Sequence, residues 1–259
     1  MKRFLAFFLV VLMLTPACFA SFNGVDDGFQ EAETCYVEAE SDTAFSQWEP
    51  AELLEDPVVS SEKVYTEEQL ETMRQLNLAS SSNSTRATWT YLPGYIVYNQ
   101  TNIYNCGPAC IQAALKYING STPNQASIAS SCGTNSSGTD MSAIVWYLNA
   151  SQNRNNYYLE LWAGSGVLGN ILHEGVTEIN APPIIGLSFS LGEGWYYSTS
   201  KHVMTVYGAR DDRSRFALAD PWIGCPASGL AGSGIGWSYA MDIDKIFDAY
   251  NNIRMGVIY

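Results

Sequence analysis

Two apolar runs of strand length, HVMTVYGA (residues 202–209) and RFALADP (residues 215–221), flank Asp211, Asp212, Arg213 and Ser214, a composition that turns a chain back on itself. A hairpin of this kind commits the C-terminal part of the chain to antiparallel pairing. If it folds about Asp211, His202 stands directly across from Asp220, with Cβ atoms ~5 Å apart, close enough for the carboxylate to accept the imidazole N–H. A slip of one residue would turn one of the two side chains to the other face of the sheet.

The patterns around this hairpin are mixed. Residues 108–118 repeat apolar side chains at helical spacing, with Ile111, Ala114, Leu115 and Ile118 on one face, and helices are expected near residues 141–148 and 167–179. Strand-like runs follow: PPIIGLSFS, the two arms of the hairpin, and RMGVIY at the end. Helices first and antiparallel strands later predict an α+β domain.

Upstream the chain is different. Residues 1–20, MKRFLAFFLVVLMLTPACFA, combine Lys2 and Arg3 with an apolar run and small residues ending at Ala20, the pattern of a secretory signal peptide cleaved near Ala20. That run is too short to span a bilayer. The product is therefore expected outside the cell or at its surface, with no membrane partner after signal removal. Residues 21–86 hold 15 acidic and 3 basic residues, a net charge of −12, whereas residues 87–259 carry only −3. Within the acidic stretch, VYTEEQLETMRQLNL supports one short helix: Thr66 caps it, Glu67 and Glu68 lie in its first turn, and Leu70, Met73 and Leu76 share a face. The Ser/Asn run at residues 80–88 reads as an exposed linker. The expected organisation is a signal at 1–20, an acidic propeptide or disordered spacer at 21–86, and one domain at 87–259. Such a negative balance argues against nucleic acid as a partner.

The chemistry centres on NCGPA, residues 105–109. A cysteine at a helix start meets unpaired backbone N–H groups and the positive end of the helix dipole, both of which favour the thiolate. Pro108 fits the first turn, where no donor is needed, and Gly107 is expected to leave room for a substrate. Thiolate attack on an amide needs a proton acceptor, and the chain has only two histidines, His173 and His202. His173 lies in ILHEGV beside Glu174, where an exposed polar helix face accounts for it. His202 and Asp220 therefore complete the set, with Asp220 orienting the ring. Gln100, six residues before Cys106, can supply an amide donor to an oxyanion beside the Cys106 backbone N–H.

The spacing Gln-x5-Cys-Gly, followed downstream by KHVMTVYG and ADPW, resembles the papain-like cysteine peptidases, and within them the bacteriocin-processing, double-glycine leader peptidase-like family in a free-standing secreted form. The likeness runs from about Tyr91 to Asn251. It implies a papain-like α+β fold, with an N-terminal helical part carrying the cysteine and a C-terminal antiparallel sheet carrying the histidine and aspartate. It also implies a peptide or protein substrate and the roles of Cys106 as nucleophile, His202 as base, Asp220 as orienting acid and Gln100 as oxyanion donor. Amidases and acyltransferases share this fold and remain an alternative. So does a peptide- or glycan-binding module gripping through Tyr91, Tyr95, Tyr98, Trp195, Tyr196 and Tyr197.

Of the remaining cysteines, Cys110 reads as a packed small residue and Cys132 with Cys225 as a disulfide pair. No Cys-x2-Cys pair or His cluster supports zinc, no phosphate-cradling loop is present, and no cofactor or metal is expected. A monomer is expected. Asn99-Gln100-Thr101 matches the N-glycosylation acceptor pattern, and because a glycan there would obstruct the site, the chain reads as an unglycosylated bacterial product.

Overall fold

The computed structural model describes residues 33–35, 87–192, 194–230 and 237–259. The expected signal peptide and the expected helix at 64–78 lie outside the described residues. Strands β1 (Glu33–Cys35), β2 (Trp89–Tyr91) and β3 (Ile96–Tyr98) come first, followed by α1 (Cys106–Asn119), α2 (Gln125–Ser131) and α3 (Met141–Ser151). Then come β4 (Leu159–Glu160), α4 (Ser165–Glu174), β5 (Ile184–Phe189), β6 (Thr199–Arg210), β7 (Arg215–Ala219), β8 (Ser238–Asp242), α5 (Ile243–Asn251) and β9 (Val257–Ile258). Helices precede the main strands, as expected of an α+β domain.

Local chemistry sets the helix ends. Asn124 and Asp140 accept from the backbone N–H groups of Ser127 and Ser142, both at 2.8 Å, and so start α2 and α3. Gly120 stops α1 with φ +74°, its N–H returning to the Lys116 carbonyl at 2.9 Å. Helix α1 begins at Cys106, two residues earlier than the periodicity suggests, so Pro108 sits inside the first turn, where its missing N–H costs nothing. The expected helix at 167–179 divides: α4 ends at Glu174 and Gly175–Ile179 continues as a π-turn, closed by Asn180 in the left-handed region.

The main sheet is antiparallel, in the order β4-β9-β5-β6-β7-β8, with β2 also paired to β6. Strands β1 and β3 form a separate parallel pair, Glu33 opposite Ile96 and Cys35 opposite Tyr98. Alternate residues of the central strands serve two cores. Ile184, Val203 and Ile258 pack with Ile111, Leu115, Ile144 and Leu148 of the helical layer. Ile185, Met204 and Val257 join Leu168, Leu172, Ile246 and Tyr250 from α4 and α5. Burying both faces explains why these strands read as unbroken apolar runs.

The hairpin forms with a different register from the one its turn suggests. Thr205 faces Ala219 and Val206 faces Leu218, so Met204, and not His202, stands across from Asp220. An irregularity between Val206 and Gly208 absorbs an extra residue on β6. In the turn, Asp212 accepts from the backbone N–H of Ser214 (3.0 Å) and from its hydroxyl (2.6 Å), while Arg213 takes φ +57°. The expected disulfide is absent: Cys132 and Cys225 are free thiols, as are Cys106 and Cys110. Cys132 ends α2, its thiol toward the Ala143 carbonyl, whereas Cys225 lies in the loop after β7.

Candidate active site

Cys106 opens α1, half-buried, and no side chain caps the helix ahead of it. The Asn105 amide turns instead to the Thr101 hydroxyl (2.8 Å). The backbone N–H of Gly107 is therefore free to serve the sulfur, the N–H of Val203 reaches it from β6, and the His202 ring hydrogen-bonds it. Burial pushes the Cys106 thiol up, but the hydrogen bond and charge of His202, joined by those two backbone groups, outweigh it and hold the thiol below its ordinary value. His202 comes from β6 and is 5% exposed. Its Nε2 donates to Asp220 Oδ1 at 2.8 Å, which leaves Nδ1 for Cys106. Burial alone would lower the imidazole; Asp220 and Cys106 together raise it to about 9.

Asp220 follows β7 and has no exposed surface. Its Oδ1 also accepts from the Trp222 backbone N–H (2.9 Å), and its Oδ2 from the hydroxyls of Tyr197 (2.8 Å) and Tyr239 (3.0 Å). A buried carboxylate is tolerable only when its lone pairs are met in this way.

Gln100 is 1% exposed, and its loop is fastened at several points. Its backbone N–H donates to the Pro221 carbonyl (2.9 Å), tying the loop to the residue after Asp220. Its Nε2 donates to the Asn102 carbonyl (2.7 Å), which uses one of two amide hydrogens, and its Oε1 has no hydrogen-bond partner among the described residues. Gln125, the first residue of α2, grips the same loop from both sides: its Oε1 accepts from the Thr101 N–H (3.0 Å) and its Nε2 donates to the Asn99 carbonyl (2.6 Å). The Asn99 side chain fills the space that a Cβ on Gly224 would need, so its amide is packed against the domain and poorly placed to accept a glycan.

Cys106, His202 and Asp220 thus form one hydrogen-bonded chain, and Gln100 is joined to it through Pro221. His173 stands apart on α4, half-buried, with its Nδ1 3.3 Å from the Thr177 hydroxyl. Gly107 does not face open space. A Cβ there would lie 2.8 Å from both Cβ and Oγ1 of Thr139, so the glycine serves close packing of the helix start against the 133–139 loop. Cys110, one turn into α1, is buried and donates to the Val203 carbonyl (3.3 Å); burial, Cys106 and Asp220 push its thiol well up, the opposite of its neighbour. Three residues that hold the site were not singled out for it by spacing: Gln125 and Tyr239 carried no sequence signal at all, and Tyr197 appeared only among candidate binding aromatics. Among the described residues, no group of three or more His, Cys, Asp or Glu side chains is placed to hold a metal, and no helix is long and apolar enough to cross a membrane.

The Peptidase C39-like family matches residues 94–225, a span that includes all four of these residues. No curated protein matches the chain. Among solved structures, the chain is similar to the peptidase domain of Streptococcus ComA, a bi-functional ABC transporter involved in a quorum sensing pathway, at 18% identity over 64% of this chain and 96% of that one, with a TM-score of 0.42. The family match takes in half of the sequence, and the chain belongs to the Peptidase C39-like family of papain-like cysteine peptidases.

Proposed function

We propose that this chain is a secreted thiol peptidase that hydrolyses peptide bonds through Cys106, His202 and Asp220, with Gln100 as oxyanion donor. The observation that carries the proposal is the position of His202, bonded through Nε2 to a buried carboxylate and through its other nitrogen to a half-buried cysteine at a helix start.

The Cys106 thiolate adds to the scissile carbonyl carbon, forming a C–S bond while the carbonyl electron pair moves onto oxygen. The second hydrogen of the Gln100 amide and the N–H groups at the start of α1 stabilise that oxyanion. Collapse breaks the C–N bond, and His202 gives its Nδ1 proton to the departing amine, leaving a thioester on Cys106. The neutral ring then takes a proton from water, whose oxygen attacks the thioester, and collapse releases the acid and restores the thiolate–imidazolium pair. Asp220 fixes the ring and stabilises its charged form throughout.

The reading as a binding module loses its main support in the placement of its aromatics. Tyr95, Tyr98 and Trp195 are buried, Tyr91 and Tyr197 half-buried, and only Tyr196 is exposed. Amidase or acyltransferase chemistry would use the same groups, and the acceptor distinguishes it. Incubating the purified chain with a fluorogenic peptide library is expected to give cleavage that iodoacetamide abolishes. Cys106→Ala should remove that turnover and Cys110→Ala should keep most of it. Unchanged hydrolysis in the Cys106 variant would sink the assignment.

A further inference from the structure

The Asp220 carboxylate divides its partners between its two oxygens. Oδ1 serves the ring and the Trp222 N–H, while Oδ2 is held by two phenols alone. Those phenols arrive from separate elements. Tyr197 lies in the connection between β5 and β6, its ring edge-on to His202 (centroids 6.0 Å, 77°) and to Phe189 (5.1 Å, 67°). Tyr239 belongs to β8, and Trp195 and Tyr196 pack edge-on against it (6.3 Å and 5.1 Å). Neither is needed to fill the Oδ1 side of the carboxylate, and neither side chain is part of the hydrogen-bonded chain from sulfur to ring.

We propose that Tyr197 and Tyr239 are positioning residues of this site, which fix the Asp220 carboxylate and carry part of its charge, so that His202 is aligned without being locked in its protonated form. The inference rests on the reading of the site as a thiol peptidase.

The physical argument compares the two states of the ring. With an imidazolium beside it, the carboxylate charge is compensated by the ring. With a neutral ring, the same buried charge must be met by hydrogen bonds alone. The two hydroxyls therefore stabilise the neutral-ring state more than the charged one, and they lower the pH at which His202 gives up its proton. His202 has to give that proton to the leaving amine, so a grip relaxed in this way serves turnover. The sign belongs to the His202–Asp220 pair as a whole and holds whichever partner carries the shared proton.

The groups facing this pair are few. Helix α1 presents Cys106 and Cys110, the β5–β6 connection presents Tyr197, and β8 presents Tyr239 with Tyr196 behind it. Among the described residues, no Lys or Arg is among the main contributors to the balance on Cys106 or His202. Burial and the nearby carboxylate push both phenols well above their ordinary value, so both stay protonated donors over the working range.

The test uses the full chain with Tyr197→Phe, Tyr239→Phe and the double variant, each of which keeps the ring packing and loses one or both hydroxyls. With only two histidines in the sequence, the imidazole protons of His202 and His173 can be titrated separately by NMR. Each single variant is expected to raise the His202 titration by roughly half a pH unit and the double variant by more, with His173 unmoved as an internal control. The basic limb of kcat/KM should move up with it. A His202 titration that stays in place or falls in both folded single variants overturns the proposal, whatever happens to turnover, and shows that the tyrosines only pack. If the double variant does not fold, the singles decide. Failure of the wild-type chain to cleave any peptide would defeat the peptidase reading instead, and the titration would still give its own answer.

Discussion

His202 and Asp220 are joined at 2.8 Å across two strands that do not place them opposite each other. On the observed register Met204 faces Asp220, and His202 is the diagonal neighbour, two residues along. A displacement of two keeps a side chain on the same face of a sheet, whereas a displacement of one would not. Diagonal neighbours stand ~7–8 Å apart at Cα, within reach of an imidazole.

Asp220→Asn should leave this contact in place but change its electrostatics. Four donors converge on the carboxylate; with the amide oxygen kept toward His202 and the Trp222 N–H, the NH₂ group faces the Tyr197 and Tyr239 hydroxyls, which must turn from donating to accepting. The charge that raises His202 is lost, and burial, which lowers it, remains. The ring should therefore titrate well below about 9, and the basic limb of the pH–rate profile should move to lower pH. Turnover is expected to fall by on the order of 10²-fold or more, with measurable activity remaining because the ring is still oriented. A profile of unchanged shape would rule out coupling between the two side chains.

Gly107→Ala tests how tightly Cys106 is seated. The added methyl would lie 2.8 Å from Cβ and Oγ1 of Thr139 and 3.2 Å from Cδ1 of Ile144, and neither Thr139 atom is the far end of a flexible chain. Relief requires the start of α1 or the 133–139 loop to move, at a cost of about 1–3 kcal/mol. Urea unfolding should show a lower midpoint at an unchanged slope, and kcat should drop because Cys106 moves with the helix start. A variant as stable and as active as the parent would mean that the loop yields freely.

The parts of this site that were legible in the sequence are those set by local chemistry. Cys106 announces itself by a helix start, Gln100 by its spacing, and His202 and Asp220 by a hairpin whose turn residues are explicit. The difference in register arises at the turn, which closes between Asp212 and Arg213 and not about Asp211, so that Ala209 faces Phe216; the irregularity between Val206 and Gly208 then takes back one residue of that offset, and β7 ends one residue before Asp220. What fills the space beside Gly107 was not legible, because Thr139 is distant in sequence. The same holds for Tyr197 and Tyr239, which meet Asp220 only after β6, β7 and β8 have assembled. Strands β2 and β4, of three and two residues, are too short to show a period. Helix α5 is different: Ile243, Ile246, Phe247 and Tyr250 recur at helical spacing after Asp242, so its pattern is present in the sequence.

Gln125 offers a test of the loop that carries Gln100. Its side chain bonds the backbone on both sides of that residue, at Asn99 and Thr101. Gln125→Ala removes both bonds at about 1 kcal/mol each and leaves Gln100 fastened through Pro221 and Asn102. Loss of a complete oxyanion donor costs about 10²–10³ in kcat, and a loosened one should cost part of that, roughly 10-fold. The expected result is a lower kcat with little change in KM. A raised KM at constant kcat would place Gln125 in substrate binding instead.

The acidic segment meets the domain at a point that its sequence did not suggest. The apolar face of the expected helix, with Leu70, Met73 and Leu76, is what the sequence pattern offers for docking, and that stretch lies outside the described residues. The described contact is β1, three residues much nearer the expected signal cleavage point, paired in parallel with β3. Strand β3 pairs with no other strand among the described residues, and it ends two residues before Gln100. Pairing of this kind draws its strength from backbone hydrogen bonds, which salt screens little. If residues 21–86 restrain the enzyme until they are removed, strand addition beside the loop that carries Gln100 gives them a direct handle on it. Thr34→Pro should weaken that handle within the full chain, because proline removes the backbone N–H at the centre of β1. Faster amide exchange at the β3 N–H groups directed to β1 would register the loss of pairing. Turnover of a fluorogenic peptide is then expected to rise toward that of a chain beginning at Ala87, at low and at high salt alike. Equal turnover from the parent, the proline variant and the shortened chain, all folded, would make residues 21–86 a spacer and not an inhibitor.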